Sequence, residues 1–252
     1  RLLSRWVTQS AQIIVISHAV RDFILASKEA GRHSVINVIY YGYKPKYSNN
    51  TSKNTNSRLP RTVRLGTVSR LAEQKNIPLL INLAKNLLED GIQFELNIVG
   101  DGPEKTKLEQ LVMQLELENH VHFLGRTQDV SNFMNSLDMF LLTSRYEGFG
   151  LVLLEAMDHG LPIIASNTSA IPEVLGKRHP GLFPVGDLES LTHRVTSFLR
   201  NSAERRTCVE YQNSRLKKFT VNEYLERHED IYRSEEHTSE LQSRFGISYA
   251  VF

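Results

Sequence analysis

Two carboxylates frame a glycine-rich turn in the run Glu147-Gly148-Phe149-Gly150-Leu151-Val152-Leu153-Leu154-Glu155-Ala156-Met157. The stretch 137–143 before it reads as a short buried strand, and 151–159 reads as a helix that is apolar almost all round. Amides at a helix start have no intrahelical acceptor and the macrodipole favours negative charge there. Phe149, Gly150 and Leu151 can therefore offer N–H groups to an anion. Glycine at Gly148 and Gly150 lets that anion approach closely. The glutamates are not an acid–base pair on one bond. Glu155 lies about 7 Å along the helix from Gly150, and Glu147 precedes the turn, so the two meet different parts of an elongated ligand. Glu155 also sits among Leu153, Leu154, Ala156 and Met157, where an unpaired carboxylate costs several kcal/mol. Its donors are sugar or ribose hydroxyls, or an arginine from elsewhere in the fold. Two plainer readings stand beside these: Glu155 on a wet helix stripe with Asp158 and His159, and Glu147 as a solvated loop acid.

The elements that must position these groups alternate. Apolar, β-branched runs at 11–16 and 35–40 flank a helical pattern at 18–30 that stops at Gly31, and the polar stretch 47–57 reads as a linker. Strands are then predicted at 63–68, 94–99, 121–124, 139–142 and 162–165. Helices are predicted at 78–88, 104–117, 130–135, 151–159 and 188–199, followed by two more at 203–217 and 221–232. Such alternation implies an α/β fold with a doubly wound parallel sheet, whose ligands sit beyond the carboxyl ends of the strands. Three turns fall on that edge: Ser69 to Lys75, Gly100 to Pro103, and the Glu147 turn. Arg70 and Lys75 are therefore expected to converge with the helix start on one anion. Two cations and a helix N-terminus suit a diphosphate, arginine gripping two oxygens and lysine acting as a point charge.

Composition excludes several classes. The 252 residues carry a formal net charge of +2 with no basic block beyond Lys217-Lys218, which gives no electrostatic case for nucleic acid. A single cysteine, Cys208, excludes an internal disulfide framework, fits a reducing, cytoplasmic setting, and has no histidine at helical spacing to make it a nucleophile. No apolar stretch approaches the roughly 18 residues of a membrane span, although association with a membrane surface stays open. Gly100-Asp101-Gly102-Pro103 lacks the third glycine of a dinucleotide fingerprint, holding Lys105 there, and no phosphate-loop string occurs. His120 and His122 read as a structural pair, and no metal site is predicted. Asp187-Leu188-Glu189 reads as an N-cap with a first-turn acid.

Arg70 and Lys75, Val99 to Glu104, Phe123-Leu124-Gly125, the Glu147-to-Glu155 element with Ala156-Met157, Gly160-Leu161-Pro162, and Glu173 together resemble the retaining, nucleotide-sugar-dependent glycosyltransferases of the GT-B fold, family four. The resemblance covers about 61–199. It implies that Arg70 and Lys75 hold the donor diphosphate, Glu147 meets the donor sugar's hydroxyls, amides of Phe149 to Leu151 meet sugar and phosphate, and Glu155 meets the ribose. Main chain near Arg126 and Thr127 would hold the base. It further implies retention of configuration, no metal cofactor, and a carbohydrate or lipid-linked acceptor. Glycine is usual after the lysine and before the Ile-Pro-Glu segment of this family, where Asn76 and Ala170 stand here. The expected domains are a partial N-terminal, acceptor-side Rossmann-like domain at 1–43, a linker at 44–60, the donor-binding domain at 61–200, and terminal helices at 201–232. Residues 233–252 are expected to be non-native, because Arg233 to Ser243 resembles the translation of a sequencing adapter. The chain, opening at Arg1, is accordingly expected to bind nucleotide but not to transfer sugar alone. A nucleotide-sugar epimerase and a noncatalytic binding module are the alternative classes.

Overall fold

A computed structural model describes residues 12–30, 34–47 and 62–239, with side chains to 234. Two compact units emerge. One takes the described residues up to Lys44 together with those from Lys217 onward, and the other runs from Pro45 to Leu216. The second boundary falls inside the stretch 201–232, which the sequence pattern presents as one set of helices.

In the first unit, strand β1 (Gln12–Val15) pairs in parallel with β2 (Val35–Val38), from Gln12 opposite Val35 to Val15 opposite Val38. Helix α1 (His18–Ala26) connects them, and Ser17 caps it by accepting from the Val20 amide at 3.0 Å. Ile13, Val15, Val20 and Ile24 form the core of this unit. The helix stops short of the predicted 18–30: Ser27 closes it and Lys28 follows in left-handed backbone (φ 57°). Gly31 and most of the predicted linker lie outside the described residues. A terminal helix, Val221–Ser239, also belongs to this unit.

The second unit holds a six-stranded, wholly parallel sheet. In chain order its elements are β3 (Val63–Val68), a 3-10 turn (Glu73–Lys75), α2 (Ile77–Glu89), β4 (Phe94–Val99), α3 (Lys105–Gln114), β5 (Val121–Gly125), α4 (Val130–Ser136), β6 (Met139–Leu142), α5 (Leu151–Asp158), β7 (Ile163–Ser166), α6 (Ile171–Leu175), β8 (Leu182–Phe183), α7 (Leu188–Arg200) and α8 (Ser202–Leu216). The strand order β5-β4-β3-β6-β7-β8 is that of the doubly wound dinucleotide-binding sheet, reversing direction between β3 and β6. Continuous apolar strands such as Met139–Leu142 and Ile163–Ser166 are buried on both faces, as a parallel sheet covered by helices requires. Residues of α2, α7 and the sheet interior, among them Leu80, Leu83, Leu96, Leu141, Val195 and Phe198, make one core. The 3-10 turn, α6 and β8 were not legible in the sequence, since two to five residues carry no periodicity to read. Asp187 does cap α7, accepting from the Ser190 amide at 3.0 Å and the Ser190 hydroxyl at 2.6 Å.

Candidate active site

The crevice forms where the chain leaves β3 and β6, neighbours whose following helices diverge to opposite faces of the sheet. Two loops line it and are tied together. The Arg145 amide donates to Gln74 O at 2.7 Å, and the Thr143 hydroxyl donates to Lys75 O and Asn76 O, each at 3.1 Å. Asn76, standing where the family usually has glycine, adopts φ 50°, ψ 43°. Asparagine is the residue after glycine that best tolerates that region, so the backbone path is kept without glycine. Replacing Asn76 with alanine is expected to lower the unfolding free energy by about 1 kcal/mol, and Asn76→Gly to preserve it, as measured by urea denaturation. Ala170 has an ordinary φ of −79°, and the left-handed residue is Ser169 (φ 45°), which frees position 170 from any need for glycine.

Glu147 is only 8% exposed, so it is not a solvated loop acid. Lys75 Nζ lies 2.5 Å from Glu147 Oε1, and the Ser144 hydroxyl donates to the same oxygen at 2.7 Å. The Ser169 hydroxyl accepts from the Glu147 amide at 2.8 Å, and the Ser166 hydroxyl donates to Ser144 O at 2.5 Å. The loop after β7 therefore braces the Glu147 turn. Ser144 and Ser169 were missed in the sequence, where single serines in loops give no distinguishing signal.

At the start of α5, Gly150 adopts φ 87°, a conformation costly to a residue with a Cβ, and its carbonyl accepts from the Leu153 amide at 2.9 Å. Phe149 is buried while Leu151 faces outward. The amides of Gly150 and Leu151 find no acceptor among the described residues, leaving the helix start open to an anion. One turn on, the half-buried Glu155 has no side-chain hydrogen bond among the described residues. Burial raises its pKa, and the charge of Lys46 offsets part of that rise. The wet-stripe reading of this helix is wrong: Asp158 and His159 are 2% and 5% exposed, because segment 45–47 covers them.

Arg70 points to an adjoining cleft of about 750 Å³, lined also by Ser69, Gly100, Asp101, Gly102, Arg126 and Thr127. Gly100 is needed there, since a Cβ would meet Ser69 O at 1.8 Å. Arg126 lies 3.7 Å from Asp101 at the exposed rim, and Arg70 makes no ion pair among the described residues. The two cations thus differ in situation: Lys75 is neutralised by Glu147, and Arg70 is available.

Cys208, isolated in sequence, meets His179 in space, with Sγ 3.5 Å from Nε2. Burial pushes the thiol up to about 12 and the imidazole down to about 4, so both are neutral and no thiolate nucleophile results. His120 stacks on Phe94 at 5.2 Å, a packing role. No group of three or more metal-binding side chains occurs among the described residues.

The sequence matches the family described as Glycosyl transferases group 1 over residues 50–215. The chain belongs to that family. It is 36% identical over 151 residues to the N-acetyl-alpha-D-glucosaminyl L-malate synthase of Bacillus anthracis, covering 57% of this chain and 39% of that protein. It is 31% identical over 165 residues to the amylovoran biosynthesis glycosyltransferase AmsK of Erwinia amylovora, covering 62% and 40%. It therefore spans well under half the length of these relatives. Among solved structures, Anabaena HepE in complex with UDP and glucose superposes with a TM-score of 0.80 at 24% identity, over 93% of this chain and 66% of that one. Staphylococcus aureus TarM, in complex with UDP among other ligands, gives 0.79 at 21%, over 92% and 45%. The chain shares the GT-B Rossmann-like fold with both. No helix among its described residues is long and apolar enough to cross a membrane.

Proposed function

We propose that the Pro45–Leu216 unit binds a nucleoside diphosphate sugar, and that the whole protein transfers the sugar to a hydroxyl of a carbohydrate or lipid-linked acceptor with retention. The observation that carries this is that the neighbouring parallel strands β3 and β6 lead, on the same edge of the sheet, to Arg70, which makes no ion pair among the described residues, and to the helix start at Gly150 and Leu151, whose amides have no acceptor there. As the bond from the anomeric carbon to phosphate breaks, charge grows on the departing diphosphate and the sugar takes oxocarbenium character. Arg70 and the helix amides act most strongly on that growing charge, which is where stabilisation raises rate. Glu147, ordered by Lys75 and Ser144, faces the sugar hydroxyls, Glu155 takes the ribose hydroxyls, and the base lies along Arg126 and Thr127. The Arg70 guanidinium and the helix amides take the part a divalent metal plays elsewhere, so chelator is expected to leave donor affinity unchanged. The class of activity is supported by the family. Retention rests on resemblance to family four.

Calorimetric titration with a panel of nucleoside diphosphate sugars tests the reading. Arg70→Ala is expected to weaken the preferred donor by about tenfold or more, the worth of a charge-assisted contact to phosphate. Equal affinity in the variant would sink the assignment and favour a noncatalytic module. Sugar isomerisation from donor alone would favour an epimerase.

A further inference from the structure

Segment 45–47 falls in the predicted linker, yet it is built onto the face of α5 that carries Glu155. The buried Asp158 carboxylate accepts from the Lys46 amide at 2.8 Å and from the Tyr47 amide at 3.2 Å. The Tyr47 ring stacks on His159 with centroids 4.4 Å apart, and its hydroxyl accepts from Ser131 at 2.9 Å on α4. His159 is itself fixed by Asn135, whose Oδ1 is 3.1 Å from Nδ1. Residues three apart on a helix are neighbours, so a backbone anchored on Asp158 brings Lys46 to the face of α5 that carries Glu155. Burying a charged carboxylate such as Asp158 is costly unless hydrogen bonds compensate, and two linker amides supply such bonds here.

We propose that Lys46 is a positioning residue for the donor: anchored through Asp158 and Tyr47 on the face of α5 that carries Glu155, it holds that carboxylate in place to accept from the hydroxyls of a nucleoside diphosphate sugar. The inference rests on the reading of Glu155 as a donor contact. Lys46 itself is exposed, which makes it replaceable without loss of core. Of the titratable groups around Glu155, Asp158 is engaged by the linker amides and His159 by Asn135 and Tyr47. Lys46 is the cation whose field acts on Glu155. Losing that field removes the influence that opposes burial, so Glu155 protonates more readily and accepts less well.

The test uses the full 252-residue chain and Lys46→Met, Lys46→Arg, Glu155→Gln and the Lys46→Met/Glu155→Gln double variant. Carboxyl-carbon NMR titration of the free chain is expected to show the Glu155 pKa higher in Lys46→Met than in the parent, with Lys46→Arg restoring it. An unchanged Glu155 titration would overturn the proposal, and it does so without any ligand. In calorimetric titration with the preferred nucleoside diphosphate sugar, Lys46→Met is expected to weaken binding by about fivefold, as for loss of a partly screened ion pair. In the Glu155→Gln background the same substitution is expected to have no further effect. Equal losses in both backgrounds would show that Lys46 touches the ligand or the fold independently of Glu155. If no nucleoside diphosphate sugar binds the parent chain, the donor reading itself fails, while the NMR result still reports the coupling.

Discussion

Replacing Lys75 with alanine is expected to destabilise the Pro45–Leu216 unit by about 3–5 kcal/mol and to abolish donor binding, because it leaves the Glu147 carboxylate buried without its cation. The side chains of this pair are 15% and 10% exposed, so water screens them little, and the contact at 2.5 Å is shared with the Ser144 hydroxyl. Removing both charges separates stability from function. In Lys75→Met/Glu147→Gln the glutamine carbonyl can still accept from Ser144, and methionine fills the lysine stem's path. That double variant is expected to recover most of the stability while staying unable to bind. Urea unfolding with parallel donor titration measures both. A Lys75→Ala chain that loses less than about 1 kcal/mol would mean the pair behaves as a solvated surface bridge.

The second large effect is acid instability. His179 is buried, its Nδ1 accepts from the Gly181 amide at 3.1 Å, and its Nε2 faces Cys208. The Cys208 thiol in turn donates to Gln212 Oε1 at 3.1 Å, and the Gln212 amide donates to Leu161 O at 3.2 Å. That chain fixes the neutral tautomer with the proton on Nε2. Burial chiefly, and Arg194 secondarily, pull the imidazole down to about 4 against an ordinary 6.5, although Gln212 favours protonation. The unfolded chain therefore binds the extra proton first. Stability is fully present above about pH 6.5 and is lost as pH falls towards about 4, by about 3 kcal/mol in total. His179→Asn, which keeps an acceptor near Nδ1 but does not titrate, is expected to flatten this part of the profile between pH 7.5 and 4.5 in urea unfolding. A parent chain with equal stability at both ends, once the surface carboxylates are accounted for by that variant, would refute the buried neutral histidine.

Much of this organisation could be read from the residues. The alternating apolar periods set five of the second unit's six strands and its main helices, because a sheet covered on both faces demands continuous apolar runs and covering helices demand amphipathic ones. The glycine turn at Gly148 to Gly150 and the cations at Arg70 and Lys75 were legible because their chemistry is unusual in a core. Asp187 was legible as a cap because the acid precedes an apolar-periodic run. What escaped were short pieces and isolated partners. Two residues of β8, five of α6 and a three-residue turn have too few positions for a period. Ser144, Ser169 and Lys46 are ordinary in isolation and acquire their roles only from what lies beside them.

The sequence by itself therefore determined the fold class and the sheet edge that gathers Arg70, Lys75 and the Glu147 turn. Those are set locally, by periodicity and by the few residue types that tolerate a helix start or a left-handed turn. Tertiary structure alone decided which charges are spent and which are available. It closed Lys75 onto Glu147, left Arg70 without an ion pair among the described residues, buried Asp158 and His159 under a segment that reads as linker, and brought Cys208 to a neutral His179. Ion pairing and desolvation depend on distance through space and on local dielectric, and neither is written in the spacing along a chain.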